Sequence, residues 1–150
     1  MTENSWNLDA ATRADLRLLM ATLREYASYV LLDCEVFKPI GASLDRDGAV
    51  GLAVAKPEGG SDPASYETAL LHGFKALMTE EKIRAAGYVN AGPNPGPDQA
   101  QNPDALLMKM ECISGVSVLV TLPFSADDDG EVTFGEGIIQ EDAAWLWNTP

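Results

Sequence analysis

The feature that most constrains the fold is an alternation of apolar and other residues between positions 106 and 122. Side chains at every second position of a β-strand share one face. Lys109 and Glu111 occupy the intervening positions and are predicted to face outward. The pattern predicts two strands joined by a turn at Ser114 and Gly115. Their inward-facing residues are Leu106, Met108, Met110 and Cys112, then Val116, Val118, Val120 and Leu122.

Two Asp-Gly turns extend this pattern to further hairpins. Residues 37–44 and 49–55 flank Asp47-Gly48, and residues 131–136 follow Asp129-Gly130. Glycine supplies the positive φ that such a tight connection needs. A short strand is also predicted over residues 88–91. It is followed by a long surface loop over residues 92–103, which contain four prolines and two glycines.

Two helices are predicted among these strands. The first carries one apolar stripe at three- and four-residue spacing, formed by Leu16, Leu19, Met20, Leu23, Ala27 and Val30. The second begins near Asp62 and Pro63, carries Tyr66, Leu70, Phe74, Leu77 and Met78 on one face, and stops near Gly87. This order predicts a single α+β domain over residues 1–150. We expect a mostly antiparallel sheet of about five or six strands, with the two helices packed on one face.

Three apolar residues of the first helix do not fit its stripe: Leu18, Tyr29 and Leu32. Either the helix is covered on two sides, or it contacts a second subunit. A homodimer formed through this helix is therefore one hypothesis.

The net charge of -13 limits the possible partners. A surface this negative repels nucleic-acid phosphate and anionic lipid, so neither nucleic-acid binding nor membrane binding is expected. The first residues resemble no signal peptide, and no apolar run approaches the length that spans a bilayer. A cytoplasmic location is predicted, with Cys34 and Cys112 as free thiols.

No motif indicates catalysis, a metal or a cofactor. His72 is the sole histidine, and it is predicted to lie on the surface, away from the apolar face of its helix. An EF-hand loop starting at Asp127 fails because its sixth residue is Val132 instead of glycine. No catalytic residue, metal ligand or cofactor is therefore predicted. Enzymatic activity stays open, and a binding role is favoured.

The most specific observation is the charge of the C-terminal part. The 41 residues after Lys109 contain eight acids and neither lysine nor arginine. An acidic patch with aromatic anchors suits a basic protein partner. Alternatively, the tryptophans cover the core and the acids only protect a sheet edge. The candidate partner-binding residues are Asp127, Asp128, Asp129, Glu131, Glu136, Trp145 and Trp147.

Two segments resemble small acidic bacterial proteins of uncharacterised function. Residues 37–44 with Asp47-Gly48 resemble their opening hairpin, and residues 122–124 and 130–136 resemble their closing strands. The chain is also similar to bacterial immunity proteins, many of which are small, acidic and α+β. The resemblance implies a non-enzymatic, immunity- or antitoxin-like protein that binds a basic toxin. The alternative is a small-molecule-binding protein or enzyme, with a pocket lined by carboxylates and by tyrosines such as Tyr66 or Tyr88.

Overall fold

The computed structural model describes residues 8–33, 37–55 and 63–147. All strand pairings among these residues are antiparallel. The α+β class and the antiparallel sheet are therefore confirmed, with seven strands. The elements are α1 (Ala10–Asp33), β1 (Ile40–Asp45), β2 (Val50–Ala53), α2 (Pro63–Thr79), β3 (Ile83–Pro93), β4 (Asp104–Cys112), β5 (Ser117–Ala126), β6 (Val132–Phe134) and β7 (Ile138–Glu141).

The strands are ordered β2-β1-β3-β4-β5, and β6 and β7 both pair with the outer side of β5. Phe124 pairs with Phe134, whereas Thr121 pairs with Ile138. One extra residue is therefore accommodated between β6 and β7, where Glu136 and Gly137 together oppose a single residue of β5. This is a β-bulge, a feature that interrupts pairing and redirects a side chain.

The two helices cover opposite faces of the sheet, so the prediction that both pack on one face is wrong. Leu23 of α1 lies in the core cluster that contains Ala85 of β3, whereas Phe74 of α2 lies in the cluster that contains Ala86. Successive residues of a strand point to opposite faces, and these two alanines are both 0% exposed. Because β3 is buried on both sides, the sheet needs a layer on each side.

Glycine allows α2 to approach one face of the sheet closely and allows β3 to pack closely against β4. A Cβ atom at Gly41 would lie 2.7 Å from Cζ of Phe74 on the α2 side. A Cβ atom at Gly87 would lie 2.9 Å from the carbonyl oxygen of Lys109 in the neighbouring strand. Gly87 is therefore a residue of β3, and its predicted role as a helix stop is wrong, because α2 already ends at Thr79.

The predicted outward position of Glu111 is also wrong, since this residue is fully buried on the α2 side of the sheet. One oxygen of its carboxylate, Oε1, accepts hydrogen bonds from Ser117 Oγ at 2.7 Å and from the N–H of Trp145 at 2.8 Å. The other, Oε2, accepts from the N–H of Leu146 at 3.2 Å and from that of Trp147. A buried carboxylate is tolerated only when its oxygens are paired in this way.

The C-terminal segment held by Glu111 forms part of the α2 layer. Leu146 is buried in the same cluster as Leu70 and Phe74. The indole of Trp145 lies 6.3 Å from the ring of Phe74 and 5.4 Å from that of Tyr88, centroid to centroid. The segment therefore covers apolar surface beside α2.

Some expectations fall outside the described residues: the Asp62 cap, Cys34 and the side chain of Leu32. Among the residues that are described, no helix is long and apolar enough to cross a bilayer.

Replacing Glu111 by glutamine tests its importance for the fold. The Glu111→Gln side chain has the same size, but its amide NH₂ group takes the place of one carboxylate oxygen. That group cannot accept the hydrogen bonds that Oε1 or Oε2 accepts in the wild type. We expect the free energy of unfolding to fall by about 2–4 kcal/mol, measured by urea denaturation. Glu141→Gln, at an exposed carboxylate of β7, is the control and should change it by less than about 0.5 kcal/mol. Equal stability of the two variants would contradict this role.

Candidate functional site at the acidic end of the sheet

Three hairpin turns share one geometry and confirm the predicted turn positions. In the β5–β6 turn, the N–H of Asp127 donates to the carbonyl of Glu131 and the N–H of Gly130 donates to the carbonyl of Asp127, both at 3.0 Å. Equivalent pairs of bonds close the β1–β2 and β4–β5 turns. Each turn has a glycine at its fourth residue, with φ of 91° at Gly48, 98° at Gly115 and 81° at Gly130. This is the three-residue hairpin loop with a left-handed glycine.

The carboxylate of Asp127 stabilises the β5–β6 turn. Its Oδ1 accepts hydrogen bonds from the N–H groups of Asp129 at 2.9 Å and Glu131 at 2.8 Å. Asp45 makes the same two bonds in the β1–β2 turn. The side chains of Asp128, Asp129 and Glu131 are exposed. The β5–β6 turn therefore presents three carboxylates on a fixed backbone.

The loop between β3 and β4 is held by side-chain amides. Asn94 is fully buried, and its Nδ2 donates to Asp98 Oδ1 at 2.9 Å and to the carbonyl of Asn102 at 2.7 Å. Asn102 Nδ2 donates to the other oxygen of Asp98 at 2.9 Å, and Gly96 N–H donates to Asn94 Oδ1. The hydrogen bonds from Asn94 and then Asn102 hold the pKa of Asp98 below its usual range. The predicted surface loop is thus a closed, hydrogen-bonded structure.

This loop and the β5–β6 turn lie at the same end of the sheet. The register places Pro93 beside Asp104, Asp104 beside Phe124, and Phe124 beside Phe134. Residues 93–104 and 126–137 contain neither lysine nor arginine, and we call these two segments the acidic end. Their carboxylates are Asp98, Asp104, Asp127, Asp128, Asp129, Glu131 and Glu136.

A cleft of about 600 Å³ lies on the α2 side of the acidic end. Asp98 and Glu136 contribute carboxylates to its lining, and Pro97, Pro123 and Ile138 contribute apolar surface. The arrangement combines negative charge with an apolar wall.

A second cleft, of about 530 Å³, lies on the α1 side. Met20, Met108 and Leu122 contribute to its apolar lining, and the guanidinium of Arg24 lies 4.7 Å from the ring centroid of Phe134. Glu136 borders both clefts, which is consistent with its position in the β-bulge.

The structure does not bring the tryptophans to the acidic end. Trp145 and Trp147 are half-buried, and their backbone N–H groups donate hydrogen bonds to the carboxylate of Glu111. Glu111 pairs with Ser117 at the start of β5. The acidic turn follows the other end of β5, roughly 30 Å away for a ten-residue strand. The separation arises because β7 runs back along β5 and carries the chain away from the acidic end. The predicted joint patch of acids and indoles is therefore wrong, although its carboxylates do lie together.

The tyrosines of the alternative pocket hypothesis lie on the α2 side. Burial, followed by the nearby carboxylates of Glu67 and Asp142, raises the pKa of Tyr88 to about 12, so its phenol is protonated at neutral pH. Its neighbours are paired with each other: Asn90 Nδ2 donates to Glu67 at 2.8 Å, and Lys109 Nζ lies 3.7 Å from Asp142. Tyr66 lies 5.5 Å beneath the ammonium of Lys38. These contacts do not assemble an acid–base pair.

Two further reactive side chains among the described residues are His72 and Cys112. His72 is exposed, as predicted. Burial, and then the carboxylates of Asp15, Glu111 and Asp9, raise the pKa of the Cys112 thiol to about 12. Within the described ranges, no group of three or more histidine, cysteine, aspartate or glutamate residues could hold a metal ion.

No family model, curated protein or solved structure matches the chain. The resemblance to small acidic bacterial proteins and to immunity proteins therefore stays a prediction.

Replacing Asp98 by alanine tests the order of the acidic end. We expect Asp98→Ala to speed hydrogen exchange at the amides of Gly96 and Asn102, since Asn94 and Asn102 lose their shared acceptor. Asp104→Ala, at an exposed carboxylate of the same end, is the control and should leave those amides unchanged.

The effect of Asp98 should also depend on pH. Because folding lowers the pKa of Asp98, its contribution to stability is complete above the unfolded value and is lost as pH falls through the folded value. The urea midpoints of wild type and Asp98→Ala should therefore differ at neutral pH and converge in acid. A difference that persists unchanged at acid pH would contradict this role of the carboxylate.

Proposed function

We propose that this protein is a non-enzymatic binding module that holds a basic protein partner at the acidic end of its sheet. The observation that carries the proposal is a set of seven carboxylates, without lysine or arginine, in two adjacent segments of ordered backbone. The binding mechanism is electrostatic attraction followed by coverage of the partner's surface. No chemical step is required of the protein.

The charge of the β5–β6 turn is available to a partner. Asp128, Asp129 and Glu131 are exposed, and the ion pairs Arg84–Asp15 and Lys109–Asp142 lie away from this turn. The guanidinium of Arg24 lies against Phe134, on the α1 side of β6. Individual exposed charges contribute little affinity, but a cluster of one sign raises the association rate of an oppositely charged protein.

The backbone of the acidic end is ordered before binding. Asp127 fixes the turn through two backbone N–H groups, and Asp98 fixes the loop through two side-chain amides. A surface that is already ordered loses less conformational entropy when it binds. This order supports a role in recognition for both segments.

The cleft on the α2 side suits a long basic side chain. Pro97, Pro123 and Ile138 provide an apolar wall, and Asp98 and Glu136 supply negative charge. Lysine and arginine carry an apolar stem with a charged head, and they bury the stem while the head meets polar groups. A lysine or arginine of the partner would therefore fit this cleft.

An immunity- or antitoxin-like role is the most specific form of the proposal. A toxin that acts on nucleic acid needs a cationic surface to hold phosphate. A carboxylate surface competes for the same cationic groups, so binding and inhibition follow from one contact. We place this interaction in the cytoplasm, where the buried free thiol of Cys112 stays reduced.

Reversing the charge of the β5–β6 turn tests the proposal. The variant D128K/D129K/E131K should lower the affinity for a purified basic partner by at least about tenfold, as measured by calorimetry. The partner is first captured on the immobilised protein and identified by mass spectrometry. For the wild type, the dissociation constant should rise steeply with salt, because attraction between exposed charges is screened.

The matched control, D47K/E80K/E141K, changes the total charge equally at exposed positions outside the acidic end. Asp47 occupies the corresponding position of the β1–β2 turn, which has the same hydrogen-bonding geometry. This control should bind nearly as well as the wild type. An affinity that is independent of salt, or an equal loss of affinity in both triple variants, would contradict the proposal.

A further inference from the structure

The sequence contains two Asp-Gly pairs, and each lies in a hairpin turn of the same geometry. Asp47-Gly48 belongs to the β1–β2 turn, and Asp129-Gly130 belongs to the β5–β6 turn. Both aspartates are exposed, and both glycines have positive φ. Because glycine has no Cβ atom, the side chain of the aspartate before it reaches the glycine nitrogen with little hindrance. Each pair is therefore a place where the chain can react with itself.

The reaction available to an Asp-Gly pair is rearrangement to isoaspartate. The glycine nitrogen attacks Cγ of the protonated aspartate carboxyl, a C–N bond forms, and one water leaves as a succinimide ring closes. Water then adds to the ring and breaks either of its C–N bonds. When the original peptide bond breaks, the chain runs through Cγ and the α-carboxylate becomes free. One water leaves and one water enters, so the composition and the charge of the protein are unchanged.

The folded turns restrain this reaction, because the attacking nitrogen is engaged in a hydrogen bond. The N–H of Gly130 donates to the carbonyl of Asp127 at 3.0 Å. In the β1–β2 turn, the N–H of Gly48 donates to the carbonyl of Asp45 at 3.1 Å. Each turn must therefore open locally before the ring can close. The rate at each site then depends on how easily its own turn opens.

The two turns differ in what lies against the glycine. A Cβ atom at Gly48 would lie 2.8 Å from Nη2 of Arg84, whereas a Cβ atom at Gly130 would have nothing within 4 Å. Arg84 Nη1 donates to the carbonyl of Arg46 at 3.2 Å, and Nη2 donates to Asp15 of α1 at 2.8 Å. The guanidinium thus ties the β1–β2 turn to α1. The corresponding bonds of the β5–β6 turn, as far as the structure describes it, all lie within the turn.

We propose that Asp129 is the preferred site of isoaspartate formation in this chain, and that Arg84 protects Asp47 from the same modification. This proposal goes beyond the partner-binding function and does not depend on it. Opening the β1–β2 turn also breaks the hydrogen bond from Arg84 to the carbonyl of Arg46. One hydrogen bond shifts such an opening equilibrium by about two- to tenfold. Asp129 should therefore react faster than Asp47 by about that factor.

The modification changes the shape of the acidic end but not its charge. Isoaspartate adds one methylene group to the backbone between the N–H groups of Asp129 and Gly130. The hydrogen bonds that these two groups donate to Asp127 depend on the normal backbone spacing. The modified turn therefore keeps its carboxylates and loses the fixed backbone that presents them.

Incubation of the purified full chain in mildly acidic buffer, followed by digestion and mass spectrometry, tests the proposal. Electron-transfer fragmentation distinguishes isoaspartate from aspartate, although the two have equal mass. Synthetic peptides of residues 43–51 and 125–133 give the rate at each site without a fold. Each rate in the protein is divided by the rate in the matching peptide. We expect the corrected rate at Asp129 to exceed the corrected rate at Asp47 by about two- to tenfold.

Replacing Arg84 tests its protective role. Arg84→Ala should raise the rate at Asp47 by about two- to tenfold and leave the rate at Asp129 in the same molecule unchanged. If Arg84→Ala fails to fold, which would raise both rates, Arg84→Lys keeps a charge for Asp15 and removes the planar fork that also holds Arg46. The control Asp129→Glu should abolish the modification at position 129 and leave the rate at Asp47 unchanged. Equal corrected rates at the two sites of the wild type, or faster reaction at Asp47, overturn the proposal.

Discussion

The structure depends on one constraint: the central strands are largely buried on both faces, and the described chain supplies one helix for each face. α1 covers β1, β3 and β4, and α2 covers β1 and β3. Each helix leaves part of its face to be covered by something else. On the α2 side, residues 145–147 and the loop after β3 cover part of the sheet. On the α1 side, β2 stays exposed and a cleft opens beside β6. The candidate surfaces are the places where the two layers end.

Local patterns predicted the elements better than their arrangement. The alternation through β4 and β5, the Asp-Gly turns and the apolar stripe of the first helix all correspond to observed structure. The placement of the helices was not predictable in the same way. Consecutive buried residues such as Ala85 and Ala86 indicate burial on both faces, but small residues follow one another in loops and helices as well. The signal becomes informative only once the strand is known.

The acidic end was predictable in composition but not in shape. Charge counting along the chain identified the carboxylates of the β5–β6 turn and Glu136. The same count joined them to Trp145 and Trp147, because proximity in sequence does not show that β7 reverses the chain. Asp98 and Asn94 were missed, since their role arises from hydrogen bonds across the loop. The burial of Glu111 was missed for a related reason. Alternation assigns a side chain to one face of the sheet, but it does not show which segment covers that face.

The β-bulge at Glu136 and Gly137 also limits how assemblies of this sheet can grow. A sheet with two open edges adds strands without end, which is the route to a fibre. Here one edge is interrupted by the bulge and lined with carboxylates. Among the described strands, β2 is the edge without such carboxylates, so strand addition is favoured at one edge of the sheet and opposed at the other. The bulge therefore opposes the addition of further strands at the β6–β7 edge of the sheet.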